Sequence, residues 1–518
     1  MNAKPGMSVR ISNAGISVKR IGLFLGPASF VTIYLTAPFG LAAAPTAILA
    51  STAWVVIWWI TESIPIPVTS LLPIVLFPLT GVMPLGNATA PYADPIVFLL
   101  LGGFLIALAI ERWNLHHRLS LLIIATVGTS GRGLVLGFML ATAFLSMWIS
   151  NTATAMMMVP IGAAVIVELT SIGGRSRPPI DREDIEEPND PLDVQGELLH
   201  QFDGGPIELP NTSFGLALML GIAYGASVGG AATLIGSPPN AVLAGVAESN
   251  LGVEIGFLEW MLVGVPLATL FLIVTWIVLV LLLQPAIERQ PGRTDVIDEQ
   301  LRELGSMTTG ERRVLAVFGL VAAGWILRPF VLQPVFPMLT DAGIAIIGGI
   351  LVFLIPVDGE RMLDWEYTSR VPWGVLLLLG AGFSIARGFQ ESGLDGIVAR
   401  AIVDLGITEL AVMILLVTTV VIFLTNVTSN TATASLFMPI TVSLALAIGF
   451  APLTLMATAA FAASFAFMLP VATAPNAIVF GSGYMTIPEM AKIGFALTIP
   501  AILFISAFAI WWVPLVWS

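Results

Sequence analysis

The chain has 518 residues, of which 57% are hydrophobic and only 10% charged, a balance that excludes an ordinary water-soluble globular protein. Its net charge of −12 argues against nucleic acid as a partner and says little about a substrate. With no cysteine and three histidines, disulfides, thiol nucleophiles and Cys-based metal sites are excluded.

Apolar runs of about 20 residues, each able to cross roughly 30 Å of hydrocarbon, recur along the whole chain. They fall at 21–38, 41–60, 64–82, 95–110, 133–170, 213–248, 257–284, 313–331, 342–356, 371–389, 406–449, 452–486 and 493–516. Strand alternation of the outer-membrane kind is absent, so the pattern predicts an all-α polytopic membrane protein with about 11 transmembrane helices. Lys4, Arg10, Lys19 and Arg20 precede the first run. No small-residue cleavage site clearly follows it, so it reads as a retained helix.

Glu62 ends the second run just before Pro65 and Pro67, a place that suits a capping role in a broken helix better than a proton or ion role. Trp54, Trp58, Trp59, Trp511 and Trp512 stand near predicted helix ends and read as interface anchors. His116 and His117 fall in a basic loop and are expected at the membrane interface. Residues 171–212, rich in Asp, Glu, Pro and Gly, read as a loosely ordered polar insert. Segments 111–120, 285–312 and 390–405 suit amphipathic arms on the membrane surface.

Two segments carry the same polar core. FLSMWISNTATAMMMVPI (144–161) and FLTNVTSNTATASLFMPI (423–440) share Phe-Leu, Ser-Asn-Thr-Ala-Thr-Ala and Pro-Ile at one fixed offset. The same offset maps Gly103-Phe104 onto Gly382-Phe383 and Ile106-Ala107 onto Ile385-Ala386, so the register is kept between apolar segments. This is an internal duplication. Each copy sits mid-way along a run long enough to enter the bilayer and return as a helical hairpin. Each is followed by a proline-broken helix, at Gly236-Ser237-Pro238-Pro239-Asn240 and at Ala472-Thr473-Ala474-Pro475-Asn476.

Charge tests that layout. With a cytoplasmic N-terminus and two re-entrant hairpins, the inside loops are 1–20, 111–132, 171–212, 285–312, 357–370 and 487–492. These loops and their edges hold every Lys and Arg except Arg328, Arg387 and Arg400. Full crossing by both hairpins would weaken the bias. The two halves then run in opposite senses, which makes them inverted repeats with discontinuous helices meeting near the midplane, as in secondary transporters.

A hairpin tip leaves backbone groups unpaired at membrane depth. The helix that starts there presents amides to an anion, and the one that ends there presents carbonyls to a hard cation. Asparagine serves both, through its amide oxygen and its NH₂. No Lys or Arg lies in the tips or breaks, so a buried dianion must be compensated by dipoles and co-bound cations. Packing of small residues between helices is the plainer explanation for a single triplet, but it does not account for two matched triplets each followed by a Pro-Asn break.

These paired SNT tips and Pro-Asn breaks, with TESIPIPVTSLLP at 61–73, resemble the divalent anion/sodium symporter family, carriers of di- and tricarboxylates. The resemblance implies an elevator-type homodimer in the cytoplasmic membrane. Its scaffold would comprise 21–132 and 313–405, flanked by the N-terminus at 1–20 and the arm at 285–312. Its transport domain would comprise 133–284 (hairpin 133–170, insert 171–212, broken helix 213–248) and 406–518 (hairpin 406–449, broken helix 452–486). One Na⁺ would meet Ser146, Ser150, Asn151 and the Gly236 carbonyl; a second would meet Thr425, Asn430 and the carbonyls of Thr428 and Ala472. Substrate carboxylates would meet Ser150, Asn151, Thr152, Ser429, Asn430 and Thr431, with Ser237 and Thr473 nearby. Ala474 stands where the family often has proline, which either frees an amide or reshapes the pocket.

The expected function is Na⁺-coupled symport of C4-dicarboxylates such as succinate, malate and fumarate. A Na⁺-independent exchanger of the same fold, and carriers of sulfate, another inorganic dianion or a tricarboxylate, are the alternatives. An intramembrane enzyme lacks support, since the sequence offers no Cys, no HExxH and no histidine expected to be buried near a serine. A channel would not need two oppositely facing hairpins.

Overall fold

The computed structural model describes residues 12–127, 130–170, 212–285, 295–404, 406 and 409–517. The N-terminal basic residues Lys4 and Arg10 and nearly all of the insert 171–212 lie outside the described residues. In chain order the helices are α1 (Ser12–Thr36), α2 (Ala43–Thr61), α3 (Ile66–Thr69), α4 (Leu72–Leu79), α5 (Leu85–Thr89), α6 (Pro95–Arg112), α7 (Leu115–Val127), α8 (Gly131–Ser146) and α9 (Asn151–Thr170). After the insert come α10 (Ser213–Gly230), α11 (Pro238–Leu251), α12 (Phe257–Leu283), α13 (Asp295–Glu303), α14 (Thr309–Leu327) and α15 (Asp341–Leu354). The last group is α16 (Trp373–Ser392), α17 (Leu394–Val403), α18 (Leu410–Thr425), α19 (Asn430–Ile448), α20 (Pro452–Ser464), α21 (Ala474–Gly481), α22 (Ile487–Trp511) and α23 (Val513–Val516). Among the described residues the only sheet pairs Pro356–Val357 with Glu360–Arg361.

Ten of these helical stretches are long and apolar enough to cross a membrane. Their boundaries follow from local chemistry. Asp94 accepts from Ile96 N at 2.9 Å with Pro95 as the first helical residue, which starts α6. Thr308 and Glu311 form a capping box at α14, and Gly252 and Gly393 end α11 and α16 in the left-handed conformation that glycine adopts without strain. The run at 64–82, expected as one apolar segment, is instead split into α3 and α4. Pro65, Pro67 and Pro73 each remove an amide donor there.

Both SNT segments are helix–turn–helix hairpins, α8–α9 and α18–α19, and both Pro-Asn segments are broken helices, α10–α11 and α20–α21. The return limbs α9 and α19 have 20 and 19 residues, against 16 in each incoming limb. At 1.5 Å per residue α9 is roughly 30 Å long, more than the half-depth expected of it. The halves interlock. The helix after the first break, α11, packs on α19, and the helix after the second break, α21, packs on α9. Helices α6, α14 and α15 pack on one another, α16 packs on α2, and α11 and α19 both lie against α16.

Two expectations change in the folded chain, those for two tryptophans and for one histidine. Trp58 and Trp59 are buried rather than interfacial, donating their indole N–H to Gly22 O at 3.0 Å and Ser70 Oγ at 3.3 Å. Trp511 and Trp512 are exposed, as anchors should be. His116 is buried within α7 with Nδ1 3.0 Å from Ile110 O, so this arm turns one histidine into the protein. Glu62 takes a positive φ of 45° at the end of α2 and lies 3.7 Å from Lys19, a structural placement with both side chains largely exposed.

Candidate functional site

The two tips and two breaks build two clusters of oxygens related by the duplication. In the first, Ser146 at the end of α8 is wholly buried and its Oγ lies 2.8 Å from Ala226 O. The same hydroxyl contacts the side-chain amide of Asn151, which also faces the carbonyls of Ala226 and Gly236. In the second, Thr425 at the end of α18 is wholly buried, with Oγ1 2.7 Å from Asn430 Oδ1 and 2.8 Å from Ala463 O. Each cluster thus takes a hydroxyl and an asparagine from the tip and a carbonyl from the broken helix.

One proton per hydroxyl cannot serve two acceptors. Thr425 faces two, so oxygen is in excess there, and the same holds at Ser146 only while the Asn151 amide oxygen points to it. A hard cation satisfies that excess by accepting every lone pair at once. In the first cluster the alternative is for Asn151 to turn its Nδ2 to Gly236 O at 3.1 Å and Ala226 O at 3.2 Å. Space is reserved as well. A Cβ on Gly230 would lie 2.5 Å from the Asn151 amide oxygen, and one on Gly236 would lie 2.6 Å from Gly230 O. The residues present therefore fit Na⁺, and only glycine fits beside them.

The remaining candidates divide by exposure. Ser150, Asn151, Thr152, Ser429, Asn430 and Thr473 are half-buried, whereas Thr431 is 6% exposed. Ser150 Oγ accepts Ala153 N–H at 3.2 Å, and Thr473 Oγ1 accepts Asn476 N–H at the same distance, so both act as helix caps. Ser237 is only 1% exposed and its Oγ lies 3.3 Å from Ser464 Oγ, which links the first break to the end of α20. Thr428 turns its hydroxyl to Leu424 O at 2.9 Å and Thr433 Oγ1 at 2.6 Å. The clusters thus unite Ser146 with Asn151 and Gly236, and Thr425 with Asn430.

Sequence reasoning did not find the carbonyls of Ala226 and Ala463, because a backbone oxygen leaves no signature in residue type. It also noted Asn240 and Asn476 only as parts of a motif. Both are wholly buried, and each binds two carbonyls within its own break. A partly open pocket of about 70 Å³ lies elsewhere, between α6, α11 and α15. Its wall carries three carboxylates, Glu248, Glu254 and Asp341, the last two paired with Arg328, so acid outnumbers base around it.

Residues 20–518 match the family model described as "Sodium:sulfate symporter transmembrane region". The chain is 41% identical over 502 residues to the sodium-dependent dicarboxylate transporter SdcS of Staphylococcus saprophyticus, covering 95% of this chain and 91% of that protein. It is 40% identical to SdcS of Staphylococcus aureus strain USA300, covering 92% of this chain and 87% of that one. The crystal structure of the Alcanivorax borkumensis YdaH transporter is a remote likeness, with TM-score 0.47, 13% identity, and coverage of 85% and 89%. The chain is a multi-pass membrane transporter, and it belongs to the sodium:sulfate symporter family, the divalent anion/sodium symporters that its paired SNT motifs resemble.

Proposed function

We propose that this protein couples Na⁺ entry to symport of C4-dicarboxylates, with two Na⁺ sites at Ser146–Asn151–Gly236 and Thr425–Asn430. The observation that carries the reading is the excess of oxygen at the Thr425 hydroxyl, within bonding distance of Asn430 Oδ1 and Ala463 O, together with the matching set of groups from Ser146, Asn151, Ala226 and Gly236 in the first half. The relatives named above, sodium-dependent dicarboxylate transporters, support the same substrate and the same ion. Ala472 and the Thr428 carbonyl complete the second site in this reading.

A dicarboxylate held between Ser150-Asn151-Thr152 and Ser429-Asn430-Thr431 meets the N-terminal ends of α9 and α19, whose free amides and dipoles favour an anion. Those ends carry no Lys or Arg. Na⁺ in the adjoining clusters supplies the missing positive charge, so acid and ion bind better together than apart. That coupling is what symport requires.

Movement follows an elevator. The hairpins and broken helices form the carrier, and α6, α14, α15 and α16 form the frame. Carrier and frame meet closely: a Cβ on Gly382 of α16 would lie 2.7 Å from Ser435 Cβ of α19. The protein sits in the cytoplasmic membrane as a homodimer with its N-terminus inside.

Uptake of labelled succinate into proteoliposomes tests the proposal. It should need an inward Na⁺ gradient, and equal uptake in choline would reject coupling in favour of exchange. Competition by sulfate or citrate stronger than by succinate would move the substrate class.

A further inference from the structure

Thr233 and Asn426 stand outside both oxygen clusters, yet each holds one cluster's two halves together. Thr233 is wholly buried between the first break and the first tip. Its hydroxyl donates to Met147 O and accepts Gly236 N–H at 3.1 Å, while its own carbonyl accepts from Asn240 Nδ2 at 2.7 Å. One hydroxyl therefore spans from the tip to the residue whose carbonyl faces Asn151.

Asn426 does the corresponding work in the second half. It is 2% exposed; its Oδ1 accepts Met468 N–H at 2.8 Å and its Nδ2 donates to Ile422 O at 2.6 Å. Met468 lies between Ala466 and Leu469, whose carbonyls are held by Asn476 at 3.1 and 3.0 Å. The unwound segment is thus gripped from both sides.

Met147 and Asn426 occupy equivalent places, each one residue after the hydroxyl of its cluster. The tie is made at the same point of both tips, and in both the break donates and the tip accepts, but side chain and backbone exchange places. In the first half a side chain of the break donates to the tip backbone. In the second, a side chain of the tip accepts from the break backbone.

We propose that Thr233 and Asn426 are positioning residues that set the spacing between tip and broken helix, and hence Na⁺ affinity, while touching neither ion nor substrate. A cation site needs its oxygens at fixed separations, and those of each cluster come from two chain segments that nothing covalent joins nearby. Without the Thr233 hydroxyl, Met147 O and Gly236 N–H lose a buried partner and the two segments can part. This inference rests on the reading of both clusters as Na⁺ sites.

The test uses the purified full-length protein with succinate fixed, NaCl titrated against choline chloride, and melting temperature as the readout. Thr233→Val keeps the shape and removes the hydroxyl; Thr233→Ser keeps the hydroxyl. The Val variant should raise the Na⁺ concentration for half-maximal stabilisation about tenfold or more, as loss of an outer-shell partner does, and the Ser variant should stay within about twofold of wild type. Asn426→Leu and Asn426→Asp, the latter retaining the acceptor for Met468 N–H, form the matching pair and carry the test if Thr233→Val gives no cooperative melt in choline. Titrations of the Val and Leu variants that superimpose on wild type would overturn the proposal, as would equal shifts in both members of a pair. A wild-type protein that Na⁺ and succinate do not stabilise would instead defeat the Na⁺ reading itself.

Discussion

Asn240 and Asn476 make the same pair of bonds at the same spacing. Each donates Nδ2 to the carbonyls ten and seven residues earlier, Gly230 (2.9 Å) and Thr233 (2.7 Å) for Asn240, and Ala466 (3.1 Å) and Leu469 (3.0 Å) for Asn476. The two breaks are therefore one folded device used twice. In each, the asparagine that opens the second half-helix closes the chain leaving the first. This explains why proline and asparagine occur together: proline forces the break and asparagine satisfies the carbonyls that it exposes.

Asn240→Ala and Asn476→Ala should each leave one buried carbonyl, Gly230 O or Ala466 O, without a donor, at a cost of about 1–3 kcal/mol, while Thr233 O and Leu469 O keep the N–H of Gly236 and Ala472. Both variants should melt well below wild type in choline, before any ion is added. A melting temperature unchanged by either substitution would show that the bonds do not hold the breaks.

Gly230→Ala should fill the space beside Asn151, since the added Cβ would lie 2.5 Å from its amide oxygen and 2.9 Å from Gly236 O. The expected result is a folded protein whose melting temperature no longer rises with NaCl in succinate. Retained stabilisation at the wild-type Na⁺ concentration would place the ion elsewhere.

Arg328 lies between Asp341 (Nε to Oδ1, 2.9 Å) and Glu254 (2.8 Å), but the partners differ: Asp341 is buried and Glu254 is half exposed. Asp341 also accepts Phe257 N–H at 2.6 Å, pinning the start of α12 to α15. Arg328→Gln strands a buried carboxylate and should cost about 3–5 kcal/mol. Glu254→Gln should cost less than about 1 kcal/mol, because water screens that side chain. Thermal melts in choline should rank the two variants in that order.

Because the chain contains no cysteine, sidedness can be read from single substitutions without a background correction. Ser130→Cys, at the cap of α8, and Glu168→Cys, in the last turn of α9, mark the ends of the first hairpin away from its tip. Both should react with an impermeant thiol reagent from the same face of right-side-out or inverted vesicles. Reaction from opposite faces would make α8–α9 a full crossing and remove the inverted symmetry.

The duplication was legible because it lies in residue identity: two Ser-Asn-Thr triplets and two Pro-Asn breaks recur in register across apolar sequence that tolerates few polar residues. The roles of the tryptophans at 58 and 59 and of His116 were not, because an aromatic or imidazole ring near a predicted helix end looks the same whether it meets lipid headgroups or a neighbouring helix. Only the packing of α1 on α2, and of α7 on α8, decides between those fates.

The sequence by itself determined the solvent, the internal duplication and the polar side chains at each tip, since hydrophobic length and repeated polar motifs are local or periodic properties. Tertiary structure alone decided which backbone oxygens complete each cluster and which side chains hold them in place. Ala226, Ala463, Thr233 and Asn426 qualify by position rather than chemistry: they are brought to the tips by the interlocking of α8 with α10 and of α18 with α20, and a contact between segments distant in the chain is written in no single stretch of it.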